Sequence, residues 1–147
     1  MNEKTCFLIG NRHTPYNIKE NLTNVVEQHI VKYGVTTFIV GHYGSFDSLA
    51  KSVLKEAKKK FENIELYLLN PYAFNQKIEV PEGFNGTFYP EGIEKVPKSL
   101  AIVQANRKMI EQSDYLITYS HYIGNTRSIV EYAQKREKKG LIKITLL

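Results

Sequence analysis

Thr37-Phe38-Ile39-Val40-Gly41-His42-Tyr43-Gly44-Ser45-Phe46-Asp47-Ser48-Leu49-Ala50 reads as a strand, a two-glycine loop and the opening of a helix. The β-branched and aromatic run over 37–40 suits a buried strand, and from Phe46 onward apolar residues recur at helical spacing. Glycines at such a junction let the backbone turn sharply and come close to a ligand. The first N–H groups of the helix lack intrahelical acceptors and point at whatever sits there, and anions suit that place best. Asp47, just inside the helix, either accepts a ribose hydroxyl or caps the helix. A tight strand-to-helix turn with no ligand accounts for the same residues equally well.

On both sides of this stretch the chain alternates strand and helix. Strands are expected over 4–10, 36–40, 64–69, 115–119 and 141–146, and helices over 18–33, 45–61, 98–112 and 126–138. In the first helix Ile18, Leu22, Val25, Val26, His29, Ile30 and Tyr33 share a face that stops at Gly34; in the second the face is Phe46, Leu49, Ala50, Val53, Leu54 and Ala57. Leu100, Ala101, Val103, Gln104, Met109 and Ile110 carry the third, and Ile129, Val130, Tyr132 and Ala133 the fourth. Between Pro71 and Pro97 the pattern lapses into proline, glycine and asparagine, with Tyr72, Phe74, Phe84, Phe88 and Tyr89 as anchors. We read 71–97 as a long ordered excursion that serves as a lid or a subunit contact. Strands that alternate with helices imply right-handed crossovers, hence an α/β, Rossmann-like open sheet of about five parallel strands with helices on both faces. One domain over 1–147 is expected, since a chain of 147 residues can bury a sufficient core.

Composition narrows the setting. Hydrophobic residues make up 42% and charged residues 24%, ordinary values for a globular protein, and no run is long enough for a membrane segment or an export signal. The single cysteine, Cys6, excludes an internal disulfide and fits a reducing compartment, so a cytoplasmic location is expected. The net charge of +5 is concentrated where Lys55, Lys58, Lys59 and Lys60 close one helix and Lys135, Arg136, Lys138 and Lys139 another. Helix dipoles explain both clusters. With no extended basic face elsewhere, nucleic acid is not expected as a partner.

In an open parallel sheet, ligands bind beyond the carboxyl ends of the strands where the strand order reverses. The loops that meet there carry the unusual chemistry of this chain: Gly10-Asn11-Arg12, Gly41-His42-Tyr43-Gly44 and Ser120-His121-Tyr122-Ile123-Gly124-Asn125-Thr126. Arg12 suits a bidentate phosphate contact, and Gly124, Asn125 and Thr126 open a helix whose N–H groups suit a second phosphate. His13, His42 and His121 fall in the same loops without metal-ligand spacing, so no metal is expected, and no cofactor is implied. No Gly-x-Ser-x-Gly elbow supports a serine nucleophile.

Thr5 to Arg12, Phe38 to Asp47, Ala105-Asn106-Arg107-Lys108-Met109 and Ser113 to Ile117 with the Gly124-Asn125-Thr126 turn together resemble the SLOG superfamily, named after the Smf/DprA and LOG proteins. The similarity is greatest to its YpsA-like branch of small bacterial proteins, and it spans nearly the whole chain. The resemblance implies a small phosphorylated, nucleotide-type ligand, held by Gly10, Asn11, Arg12, Gly41, His42, Tyr43, Gly44, Ser45, Asp47, Asn106, Gly124, Asn125 and Thr126. It also implies a sensing or sequestering role, a place in stress or antiphage signalling, and a homo-oligomer, dimer or tetramer. Two departures stand out: Asn11 where the branch usually has histidine, and His42 where it has glycine. A side chain at 42 either hinders close phosphate approach or adds a contact of its own.

LOG-type members cleave the N-glycosidic bond of nucleoside monophosphates, with an arginine of an Arg-Lys pair and a glutamate after the glycine-threonine turn. Arg107-Lys108 matches the first element. The position three after Thr126 is Ile129, and the nearest acid, Glu131, lies about 200° further around the helix. The resemblance therefore implies Arg107 and Glu131 as catalytic residues only if the protein is an enzyme, and binding without turnover is the primary expectation.

Overall fold

A computed structural model describes residues 3–41, 44–71, 79–93, 96–120 and 125–147. Its elements are β1 (Thr5–Gly10), α1 (Lys19–Val31), β2 (Thr37–Val40), α2 (Gly44–Lys60), β3 (Glu65–Leu69), β4 (Gly86–Phe88), α3 (Ala101–Gln112), β5 (Tyr115–Tyr119), α4 (Asn125–Lys138) and β6 (Lys143–Leu146). Every strand pairing is parallel, in the order β4-β3-β2-β1-β5-β6. The chain thus winds from β1 through β2 and β3 toward one edge, then returns to place β5 on the other side of β1. The sheet's topological switch lies between β1 and β5.

The alternation of side chains along each strand divides the core in two. Cys6, Leu8, Phe38, Val40, Leu66, Leu68 and Ile117 point to one face and pack with Leu22 and Val26 of α1 and Phe46, Val53 and Leu54 of α2. Phe7, Ile39 and Leu116 point to the other and meet Ala105, Met109 and Ile110 of α3 and Ile129 and Ala133 of α4. Burial on both faces is why the central strands read as unbroken apolar runs. Each fully buried Leu, Ile or Phe stabilises the fold by about 1.5–3 kcal/mol.

Among the described residues the sheet has six strands where about five were expected. The additional one, β4, lies within the 71–97 excursion and pairs Tyr67 with Gly86, Leu68 with Thr87 and Leu69 with Phe88. Three residues that begin with glycine carry too little apolar periodicity to announce a strand. Long-range bonds fix it instead: the backbone N–H of Asn85 donates to the Leu66 carbonyl at 2.7 Å, the Leu66 N–H donates to Asn85 Oδ1 at 2.9 Å, and the Asn70 N–H donates to the Phe88 carbonyl at 2.8 Å. Phe84 packs on the α1/α2 side of the sheet and Phe88 and Tyr89 on the α3/α4 side. Tyr72 and Phe74, also read as anchors, lie outside the described residues.

The buried face of α3 also differs from expectation. Ala101, Ala105, Met109 and Ile110 face the sheet, whereas Leu100 and Val103 are exposed. Among the described residues no helix is long and apolar enough to cross a membrane.

Candidate functional site

The carboxyl ends of β1 and β5 are tied together where β1 runs out. The Asn11 N–H donates to the Tyr119 carbonyl at 2.9 Å, which starts the β1 exit loop beside the end of β5. Thr126, one residue into α4, donates its hydroxyl to the Gly10 carbonyl at 3.1 Å. On the other side of the loop, the Arg12 carbonyl accepts from both the backbone N–H and the hydroxyl of Ser45, each at 2.8 Å. Ser45 Oγ in turn accepts from the Thr14 N–H at 2.5 Å, and the Thr14 hydroxyl donates to the Asn11 carbonyl at 2.7 Å. The β1 exit loop is therefore clamped between the N-termini of α2 and α4.

Three glycines make the clamp possible, for different reasons. A Cβ on Gly44 would lie 2.9 Å from Arg12 Cα, and its φ of +87° is one that other residues rarely adopt. A Cβ on Gly10 would lie 2.3 Å from the Phe46 ring, so this glycine provides space for the first large side chain of α2. A Cβ on Gly41 would lie 2.6 Å from Asp47 Oδ2, which seats the Asp47 carboxylate against the end of β2. Asp47 and Asn11 are both buried.

Two long helices direct their N-termini at this edge, α2 of 17 residues and α4 of 14. Each N-terminus carries a partial positive charge of roughly half an elementary unit. The Arg12 side chain is exposed between them. Fixed positive potential over a preformed backbone suits a phosphate or another compact anion. Thr118, the penultimate residue of β5, is buried, and its hydroxyl has no partner among the described residues.

No protein-family model matches the chain, and no curated protein matches it. What the site can do therefore rests on its own geometry.

Of the positions expected to contact a ligand, Gly10, Asn11, Arg12, Gly44, Ser45 and Thr126 are drawn together here, with Gly41 and Asp47 alongside at the end of β2. Ser45 and the backbone of Gly10 hold the loop in place. His42, Tyr43 and Gly124 lie outside the described residues, as does the Asn125 side chain, although the Asn125 backbone opens α4. Asn106 is half-buried in the body of α3. Sequence reasoning did not single out Thr14 or Phe46 as parts of this edge, because their roles depend on contacts with residues distant in the chain.

Arg107 and Glu131 lie further down the helices, six residues from the first of α3 and of α4 respectively, or about 9 Å along each axis. The Arg107 guanidinium sits over the Tyr132 ring at 4.5 Å from its centroid. Glu131 accepts from Arg127 Nε at 3.0 Å. The Tyr132 hydroxyl donates to Glu111 Oε2 at 2.6 Å, and this bond raises the phenol's pKa above its ordinary value, with burial and the Glu111 charge adding to the shift.

Cys6 is fully buried, and burial pushes its thiol pKa far up, against a smaller opposing effect of the Ile117 backbone; it is a core residue rather than a nucleophile. Among the described residues no group of three or more His, Cys, Asp or Glu side chains could hold a metal.

Proposed function

We propose that the protein binds a small nucleotide-type anion, a mononucleotide, cyclic nucleotide or ADP-ribose derivative, and acts as a sensor or sequestering protein of the SLOG kind. The observation that carries this reading is the convergence of Arg12 and the N-termini of α2 and α4 on the switch point between β1 and β5. In this reading phosphate oxygens sit against the helix N-termini, Arg12 neutralises them, and Asp47 receives a ribose hydroxyl. The engagement of Arg107 with Tyr132 and of Glu131 with Arg127 favours binding without turnover. The exposed apolar side chains of Leu100, Ile102 and Val103 at the start of α3 support self-association.

Calorimetry with AMP, cyclic AMP and ADP-ribose tests the reading. At least one is expected to bind, with affinity reduced at least about tenfold in Arg12→Ala, the loss of a charge-assisted phosphate contact. No binding by any of them, or equal binding by Arg12→Ala, overturns it. Chromatography of the same mixtures checks for free base. Catalytic release of base that is abolished in Arg107→Ala would replace the sensor reading with a LOG-like nucleoside 5'-monophosphate N-glycosidase.

A further inference from the structure

One side of α2 borders a groove of about 1020 Å³ whose opposite wall is Pro81, Glu82 and Gly83, on the approach to β4. Ser48, Lys51, Ser52 and Lys55 line it at the three- and four-residue spacing that puts side chains on one helix face. Lys51 and Lys55 are half-buried, with no hydrogen-bond or ion-pair partner among the described residues. The Lys55 stem runs against the opposite wall, since a Cβ on Gly83 would come within 3.8 Å of Lys55 Cγ. The lower end of the groove is different in kind. There Lys59 pairs with Glu56 at 3.5 Å, Lys58 donates to the Ile64 carbonyl, and Glu62 adds a further acid.

The helix dipole accounts for Lys58, Lys59 and Lys60, which occupy the last turn of α2. It does not account for Lys51, nor for Lys55, which the sequence groups with the closing lysines but the helix places outside its last turn: the two precede the end of the helix by nine and five residues. Their half-buried stems and unpaired ammonium groups form a short cationic zone inside a concave surface. Two lysines four apart on a helix are separated by about 6 Å along its axis, and alternate side chains of an extended chain by about 6.6 Å. The two repeats are close enough for carboxylates on alternate residues of an extended peptide to meet both ammonium groups. Among the described residues no aromatic side chain lines the groove, and single-stranded nucleic acids bind chiefly through such stacking platforms. Glu56 and Glu62 at the lower end repel a longer polyanion and confine the favourable zone to about two helical turns, and Glu82 on the opposite wall leaves the favourable side to the lysines of α2.

We propose that this groove docks a short, extended acidic segment of a partner protein, with Lys51 and Lys55 pairing its carboxylates and Ser48 and Ser52 flanking them. The groove starts one turn from the proposed nucleotide site, since the Ser48 hydroxyl donates to the Gly44 carbonyl at 3.3 Å, and it gives a sensor a second face for a protein partner.

The test is fluorescence anisotropy of the full chain with a labelled peptide of roughly four residues in which glutamate and serine alternate, whose extended length of about 10 Å matches the two turns given above. A lysine-serine peptide and a single-stranded oligonucleotide of matched charge serve as comparisons. The acidic peptide is expected to bind at low ionic strength and to weaken at least about fivefold when salt is raised from about 50 to about 200 mM. Lys51→Glu/Lys55→Glu is expected to weaken it at least about tenfold, and the milder Lys51→Gln/Lys55→Gln by a smaller but measurable factor, with unchanged circular dichroism. Lys135→Glu/Lys138→Glu on α4 leaves peptide binding unchanged. AMP or ADP-ribose binding is measured on the same variants; its retention in Lys51→Glu/Lys55→Glu, and retention of peptide binding in Arg12→Ala, separate this proposal from the nucleotide site. Absence of peptide binding, equal binding by the double variants, or tighter binding of the oligonucleotide overturns it.

Discussion

Gly44 and His29 show how single positions carry constraints that a side-chain inventory does not reveal. Alanine at Gly44 would meet Arg12 Cα at 2.9 Å while holding φ at +87°, two penalties at one place. Gly44→Ala is expected to lower stability by about 1–3 kcal/mol, read by urea denaturation, and to weaken nucleotide binding because the Arg12 loop must move. His29 is fully buried; its Nδ1 lies 2.7 Å from the Val25 carbonyl, and its Nε2 has no partner among the described residues. Its ring meets Tyr33 and Tyr115 edge-on. Lys143 sits over Tyr33, and Lys4 lies over Tyr115. Burial lowers the imidazole pKa below its ordinary value of 6.5; the bond to Val25 opposes this, and the Lys143 charge adds to it. Below pH 6.5 the unfolded chain binds a proton at this position more readily than the folded one. The stability from the neutral ring is therefore complete above that pH and is lost as pH falls toward the depressed folded value. Urea midpoints measured from pH 7.5 down to about 5 are expected to fall, and to fall less in His29→Gln, which has no proton to gain.

The third helix shows the difference between an apolar residue and a buried one. Its sheet-facing side is built from Ala101 and Ala105, with Met109 and Ile110 below them, while Leu100, Ile102 and Val103 remain in solvent. Ala105→Leu is expected to destabilise by about 1–3 kcal/mol because the added methylenes have no space against the sheet. Val103→Ser is expected to change stability by less than about 0.5 kcal/mol. Similar stability losses from both would mean that α3 presents a different face. At α4, the Thr126 hydroxyl is the tie to β1, and Thr126→Val removes it with little change in shape. A loss of about 0.5–1.5 kcal/mol is expected in the same denaturation assay.

Across the molecule, the proposed reading links ligand and fold thermodynamically, since its anion site would be built only when β1, β5, α2 and α4 are assembled. A ligand present at about a hundred times its dissociation constant stabilises the folded form by about 2.7 kcal/mol. The melting temperature is therefore expected to rise with AMP or ADP-ribose concentration, and to respond far less in Arg12→Ala. No shift with any nucleotide at concentrations that saturate calorimetric binding would break that linkage.

Strand and helix type, the two faces of α1, α2 and α4, and the loops that carry the unusual residues follow from local periodicity and turn chemistry, which act over a few neighbouring positions. Position 10 illustrates where that information stops: the resemblance names Gly10 as a ligand contact, and only the folded chain shows that its Cα faces the Phe46 ring. The same is true of β4, where three residues become a strand because Asn85 and Phe88 find partners on and just beyond β3, and of α3, where Ala101 and Ala105 are buried while the larger Ile102 and Val103 are exposed. The meeting of Arg12 with Gly44 and Ser45, and of Gly10 with Thr126, joins positions more than thirty and more than a hundred residues apart. Such contacts depend on strand order and close packing, which no short window of sequence encodes.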